Sequence, residues 1–455
     1  VSEKVIQPAK KYLFAIVTVY MCYLTHGVQA IIFSQNQVDF YTQWGFINDP
    51  TAGAAAVSTA IVWTGVGKFV SVWIGGEISD RIGRKIPAIL GGVLYIISFV
   101  IMLITDNATV AAVAGFLSGL ATSGFWDGAL YPAIAEANPR QAGASTIGIK
   151  AVISVTGIIY PIFAAANANH VLDKATKTVV AGPGTGDWHI NVWVAIVLSV
   201  IATIFAIITP FVYDDERKQK VDNADDKSAA KNAAEAEIQA ARDAMLKKPN
   251  GLTQFVTLFY GFVIMFIMYG AQQYSKQFGT AYLGMTATDS ATLTSIYTFG
   301  SIIAVLFWAF MMGKLRWNPV KVIMIDSIIA IAGLAAVLLA LPLGIGVAGV
   351  YIGLALVGFG AAGGMLQTGV TQRQLICPGP RGRNVGMYYT FMGAASVFLP
   401  FIVGAMTTAV GESSAVWIMM ILLLAFAILA LLMALYLVSQ YKGMFGYSAL
   451  EKMRD

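Results

Sequence analysis

Long apolar runs alternate with short polar breaks along the chain. A helix needs roughly 20 mostly apolar residues to cross a bilayer. Runs of that length lie at about 11–34, 55–76, 86–105, 108–134, 143–167 and 191–213. Six more lie at about 251–276, 291–313, 321–342, 345–369, 385–409 and 414–440. The pattern predicts twelve spanning helices in two groups of six. Between the groups stands the polar, alanine-rich stretch "DDERKQKVDNADDKSAAKNAAEAEIQAARDAMLKKPNG". It reads as a cytoplasmic linker over 214–250, with a surface helix near 229–247 and a basic anchor at Lys247 and Lys248. The expected domains are 1–213 and 251–455, one on each side of it.

Composition agrees with a membrane protein. Only 12% of residues are charged and 57% are hydrophobic, whereas soluble domains carry about 25% charged residues. Cys22 and Cys377 are too far apart in sequence to suggest a metal site or a disulfide framework, and both read as packing residues. The net charge of +5 matters less than where the bases fall. Only Lys174, Lys177 and Lys276 fall in the segments opposite the N-terminus, and Lys68 and Lys150 fall inside spans. Every other Lys and Arg is on the N-terminal side. Bases concentrate in cytoplasmic segments, so both termini are expected in the cytoplasm, with the chain in the plasma (inner) membrane.

The two groups echo each other. "HGVQ" at 26–29 resembles "YGAQ" at 269–272, and "NPRQAG" after span 4 resembles "GPRGRNVG" after span 10. Pro161 and Pro400 hold similar places in spans 5 and 11. Weak internal symmetry of six-span halves is a transporter signature.

"GGEISDRIGRK", at 75–85, falls in the turn expected between spans 2 and 3. Gly76, Asp80, Arg81, Gly83, Arg84 and Lys85 fill every fixed position of a G-x-x-x-D-R-x-G-R-K string. The string and its place resemble the loop motif of the major facilitator superfamily (MFS), with no subfamily assigned. The resemblance implies an all-α membrane protein of 12 transmembrane helices in two pseudo-symmetric six-helix bundles, monomeric, working by alternating access. It also implies that this cluster is a cytoplasmic latch between the halves. Gly76 would permit close helix approach, Gly83 a tight turn, and Asp80 would accept from an arginine or a helix N-terminus. A plain basic anchor is the blander reading, but anchoring requires neither Asp80 nor the glycines. The second copy, "GKLRWNPVK" at 313–321, lacks the Asp, so the latch is expected to be asymmetric.

Ionisable residues inside spans are costly and usually serve a function. Asp127, in "SGFWDGALYP" of span 4, is the expected proton-coupling site, because burial favours the neutral carboxyl; a structural partner for a nearby base is the alternative. Lys68 in span 2 either pairs with Asp127 or offers a cation to an anionic substrate. Lys150 snorkels toward the cytoplasmic edge. Asp326 reads as a loop partner for bases such as Lys321 or Arg381. His26 is a candidate substrate or proton-relay group, although a lone helical His is more often a packing residue. In this superfamily spans 1, 4, 7 and 10 line the cavity. That points to Gln29, Gln272, Gln273, Tyr274 and Gln367 as further binding groups. Trp126, Trp63, Tyr388 and Tyr389 are aromatic candidates, with core or interface packing as the commoner role.

No G-x-x-x-x-G-K-[ST] string is present, so direct ATP drive is not expected. No Cys/His cluster or nucleophile–base pairing is legible. The chain reads as a secondary transporter with no cofactor, metal, nucleic-acid partner or catalytic residue. A receptor on this scaffold would lack a soluble domain to signal through. The expected function is proton-coupled symport of a small organic anion, such as a hydroxy, sugar or aromatic acid. One alternative is a sugar or polyol symporter, supported by Gln272, Gln273 and "YPAIAEANPR". The other is a multidrug/proton antiporter, whose span-5 motif survives only as Gly148, Gly157 and a shifted Pro161.

Overall fold

The computed structural model describes residues 9–138, 142–173, 176–215, 239, 245–378 and 381–453. Most of the expected linker helix, together with Arg140 and Lys174, lies outside the described residues. Among those described, eleven helices are long and apolar enough to cross a membrane. They match spans 2–12 of the sequence pattern.

The first expected span is different. It is a helix over Phe14–Gln29 followed by a short helix over Ile32–Gln35, and a further short helix, Gln37–Gln43, lies beyond the span. Ile31 and Asn36 leave helical geometry, at φ −128°, ψ 3° and φ −114°, ψ 27°. Polar side chains bond to the backbone at this break, beside ladder bonds that the Gln35 and Asn36 amides still make to the same carbonyls. Ser34 Oγ donates to the Ile31 carbonyl at 3.0 Å, and Asn36 Nδ2 donates to the Ile32 carbonyl at 2.8 Å. Such side chains compete with the helix ladder for its carbonyls.

Other boundaries follow the usual chemistry of helix ends. Span 2 is one helix over Pro50–Ile82, started by Pro50 and by Asp49, which accepts from the Ala52 amide. It runs through most of "GGEISDRIGRK", so the expected eleven-residue turn shrinks to Gly83 and Arg84. Gly83 has φ +97°, a conformation that favours glycine, and span 3 starts at Lys85. Span 9 starts at Pro319 with Asn318 as its cap. A small antiparallel hairpin, His170–Leu172 with Val179–Ala181, lies between spans 5 and 6.

Spans 4, 7 and 10 contain π-helical segments: Leu120–Trp126, Phe278–Leu283 and Gly358–Met365. Such segments are rare and favour functional sites.

By contacts the chain forms two compact units. One comprises Val1–Lys220, Gln273–Ser295 and Ser396–Trp417; the other comprises Val221–Gln272, Ile296–Ala395 and Ile418–Asp455. The first unit thus includes pieces of spans 7, 8, 11 and 12. In each unit glycines bring helix backbones together, the small-residue packing expected in a bilayer. A Cβ on Gly75 of span 2 would collide with the Gly124 carbonyl of span 4, and Gly333 and Gly353 meet reciprocally in spans 9 and 10. Gly76, the expected point of helix approach, has open space where a Cβ would stand. The approach is made by its neighbour instead.

Candidate transport site

Asp127 is the first residue after the π-helical segment of span 4. Its Oδ1 accepts from the Tyr23 hydroxyl at 2.8 Å and its Oδ2 from Ser123 Oγ at 3.1 Å. Tyr23 stands edge-on to His26 and to Tyr131, with ring centroids 5.8 and 5.4 Å away. The carboxyl is half-buried. Lys68 is also half-buried, and its Nζ forms no hydrogen bond among the described residues. Its charge and that of Asp127 act on each other, yet no ion pair closes between them.

A second polar chain runs beside this pair. His26 Nδ1 shares a 3.2 Å hydrogen bond with the Tyr95 hydroxyl, which shares another of 2.5 Å with Thr122 Oγ1. Gln29, also within reach of His26, donates through Nε2 to Ser118 Oγ at 3.1 Å. The charges of Lys68 and Lys150 both reach His26. Lys150, three residues into the Gly148–Ala166 span, forms no hydrogen bond among the described residues. Lys68 of span 2 thus lies within electrostatic range of both Asp127 of span 4 and His26 of span 1, and Lys150 of span 5 within range of His26. Such a group can exchange protons and present an unpaired cation.

Several expected binding groups stand elsewhere. Trp126 is core: it is fully buried, donates to the Ala88 carbonyl at 2.9 Å and wedges against Gly91, so it ties span 4 to span 3. Trp63 faces outward and lines a groove of 430 Å³ with Val66, Pro400 and Phe401. Tyr388 is buried against Gly261 and Gly369. Tyr389 is exposed and Gln272 half-buried. For Gln367 the structure describes only the backbone, in the helix Leu366–Ile376.

Gln273 and Lys276 serve the break in span 1. Gln273 Nε2 donates to the Ala30 carbonyl, Lys276 Nζ to the Gln35 carbonyl, and Gln277 Nε2 to the Ser34 carbonyl at 3.3 Å. Positions 273, 276 and 277 share one helix face. Lys276 is thus within a spanning helix and not in the outer loop where its charge was counted. Tyr274, next to this face, is buried. Asp326 is no loop partner either: it is buried, and its Oδ1 accepts from Trp308 Nε1 at 2.9 Å.

The loop that ends the G-x-x-x-D-R-x-G-R-K string makes its contacts with nearby acids. Arg84 is buried, donates to Glu136 Oε1 at 2.8 and 3.2 Å, to Asp80 Oδ1 at 2.8 Å and to Ser79 Oγ at 2.7 Å, and lies 4.3 Å from the Tyr213 ring centre. Burial works against its charge, but Glu136 and Asp80 outweigh burial and hold its pKa above the ordinary value. Asp214 Oδ2 accepts from the Arg84 amide at 2.9 Å, and the Tyr213 hydroxyl donates to the Asp80 carbonyl at 2.7 Å. Arg81 pairs with Glu77. Glu136 and Asp214 escaped the sequence reading, although both stand in quoted strings, "YPAIAEANPR" and "DDERKQK". Tyr23 and Ser123 were missed because nothing local marks a hydroxyl as the partner of a distant carboxyl.

The family model of the Major Facilitator Superfamily matches residues 23–377. The chain belongs to the Major Facilitator Superfamily. This MFS chain is similar to the inner membrane transport protein YdiM of Escherichia coli (strain K12), 27% identical over 383 residues and covering 84% of each chain. It is also similar to the inner membrane transport protein YdiN of the same organism, 23% identical over 435 residues, or 95% of this chain and 92% of that one. The crystal structure of a D-xylose-proton symporter superposes with a TM-score of 0.68 at 12% identity, covering 93% of this chain and 97% of that one. A partially occluded inward open conformation of the xylose transporter XylE from E. coli gives 0.67 at 12% identity, over 97% and 100%. At that identity the likeness shows the fold alone. The MFS chain is a multi-pass membrane transporter and not an enzyme.

Proposed function

We propose that this MFS transporter carries a small organic anion together with a proton by alternating access. In this reading Asp127 carries the proton and Lys68 meets the carboxylate of the cargo. The observation that carries it is the arrangement of these two groups. Asp127 has two hydroxyl donors, while Lys68 feels its charge but has no side-chain partner among the described residues. A lysine held in a span without a partner is costly. An anionic substrate offsets that cost when it binds. His26 and Gln29 extend the same polar region. The loop at Gly83 and both termini are placed in the cytoplasm by the bias of the bases.

The test is uptake in proteoliposomes under an imposed pH gradient, with a panel of labelled hydroxy, sugar and aromatic acids and D-xylose as the neutral arm. Asp127→Asn is expected to abolish gradient-driven accumulation while preserving exchange of cargo across the membrane. Lys68→Gln is expected to lose acid binding in protein that still folds. Gradient-driven accumulation in Asp127→Asn with an unaltered pH profile would refute the coupling role. Uptake of D-xylose but of no acid would replace the anion reading with a sugar one.

A further inference from the structure

The second unit contains a buried acid that the proposed mechanism does not use. Asp326, in the span Pro319–Leu339, is wholly buried. Its Oδ1 accepts from Trp308 Nε1 at 2.9 Å, and its Oδ2 is buried with no partner. A methyl group on Gly364, within the π-helical segment Gly358–Met365 of span 10, would collide with this carboxyl, and one on Gly360 would meet the Asp326 backbone carbonyl. The carboxyl therefore fills a slot that only glycine leaves open.

The surroundings supply no countercharge. Among the described residues no Lys, Arg or His forms an ion pair with Asp326. Span 8 contributes the neutral Trp308 indole, and span 10 contributes glycines and Met365. Ser327 donates to the Ile323 carbonyl at 2.6 Å and toward Met365 Sδ at 3.4 Å, both away from the acid. Among the described residues the titratable group within electrostatic reach of it is Tyr260 of span 7, which is buried, carries no charge and has its hydroxyl near Ser327. One indole donor and no cation leave an ionised carboxyl badly compensated. Burying the neutral acid costs far less.

We propose that Asp326 is a second proton-binding site, separate from Asp127 and loaded in this conformation. Oδ1 is the carbonyl oxygen that takes the indole hydrogen bond, and Oδ2 carries the proton. To release that proton the carboxylate needs new donors. The Gly358–Met365 segment must then draw back from span 9 and admit water. Such π-helical segments are frequent at functional sites, and this one is the part of span 10 that packs on the acid. Span 4 has its own π-helical segment directly before Asp127. The two halves thus pair an acid with a π-helical segment in different ways.

The experiment is infrared spectroscopy of the purified full-length protein in lipid nanodiscs, with pH stepped from acid to alkaline. A carboxylic-acid C=O component is expected at neutral pH in the wild type and in Asp127→Asn, and that component is expected to be missing from the spectrum of Asp326→Asn, where the absorption left comes from other protonated acids such as Asp127 and Asp39. Trp308→Phe keeps the acid but removes its donor, so the band should persist and move to higher wavenumber. At alkaline pH the band should fade while the amides of 358–365 gain deuterium faster. An unchanged band in Asp326→Asn, or no band shift in Trp308→Phe, would overturn the assignment. A band that survives to the highest pH at which the protein stays folded would overturn proton release. Failure of the Asp127 role in transport leaves this spectrum unaffected, so the two readings stand or fall separately.

Discussion

Tyr23 and Asp127, 104 positions apart in the chain, meet through a 2.8 Å hydrogen bond between span 1 and span 4. The bond ties the protonation of the acid to the position of the first helix. A hydrogen bond to a charged group contributes about 1.5–3 kcal/mol, or roughly one to two pH units in a titration. Tyr23→Phe is therefore expected to move the pH midpoint of gradient-driven uptake by about one unit or more. Ser123→Ala should move it in the same sense. Uptake profiles that overlay the wild type in both variants would show that the acid does not set the pH response.

Arg84 gives a second prediction. Breaking a buried pair by removing one partner costs about 3–5 kcal/mol. Glu136 has a side chain 25% exposed, so Glu136→Gln should fall at or below the low end of that range. Arg84→Lys should fare little better, since an ammonium cannot span Glu136, Asp80 and Ser79 at once. Thermal unfolding in detergent reads both. Full stability in Arg84→Lys would mean that charge alone is enough at this position.

Gly75 and Gly76 are adjacent but should respond in opposite ways. Gly75→Ala forces a methyl group into the Gly124 carbonyl, and overpacking typically costs about 1–3 kcal/mol. Gly76→Ala meets open space and removes a helical glycine, a gain of roughly 0.5–1 kcal/mol. Comparing the two melting temperatures checks this. Equal effects would contradict the packing described for spans 2 and 4.

Asp39 offers a pH signature outside the membrane-spanning segments. Burial pushes its carboxyl above the ordinary carboxylate value, and hydrogen bonds from the His170 amide and Nδ1, at 2.8 and 2.9 Å, offset this only in part. The folded protein then binds the proton more tightly than the unfolded chain. Its contribution to stability is greatest at acid pH and declines as pH rises from the ordinary value through the raised one. The melting temperature of the wild type relative to Asp39→Asn should fall across that window. A constant difference would mean that Asp39 titrates alike in both states.

Eleven of the twelve spans were legible, because length and hydropathy alone define a spanning helix. The loop motif identified the family, and Asp127, Lys68 and His26 stood out as ionisable residues in apolar runs. What was hidden depends on which face of a helix turns inward. Trp126 and Tyr388 looked like cavity aromatics, yet both pack against glycines in other spans. Gln273 looked like a substrate amide, but it bonds to a backbone carbonyl freed where span 1 breaks. That break carries polar side chains bonded to their own backbone, Ser34 and Asn36, a local feature that hydropathy does not register. Asp326 was misplaced for a similar reason: its distance from the bases reflects the direction of its side chain, not its depth in the sequence.

The interrupted first span has a consequence for hydration. In hydrocarbon every backbone carbonyl must find a donor, and here Gln273, Lys276 and Gln277 supply three. If span 7 withdraws during transport, those oxygens must be met by solvent. Wherever those three donors stand off from span 1, water must take their place, and the bared oxygens would then offer a row of acceptors to a hydrated solute.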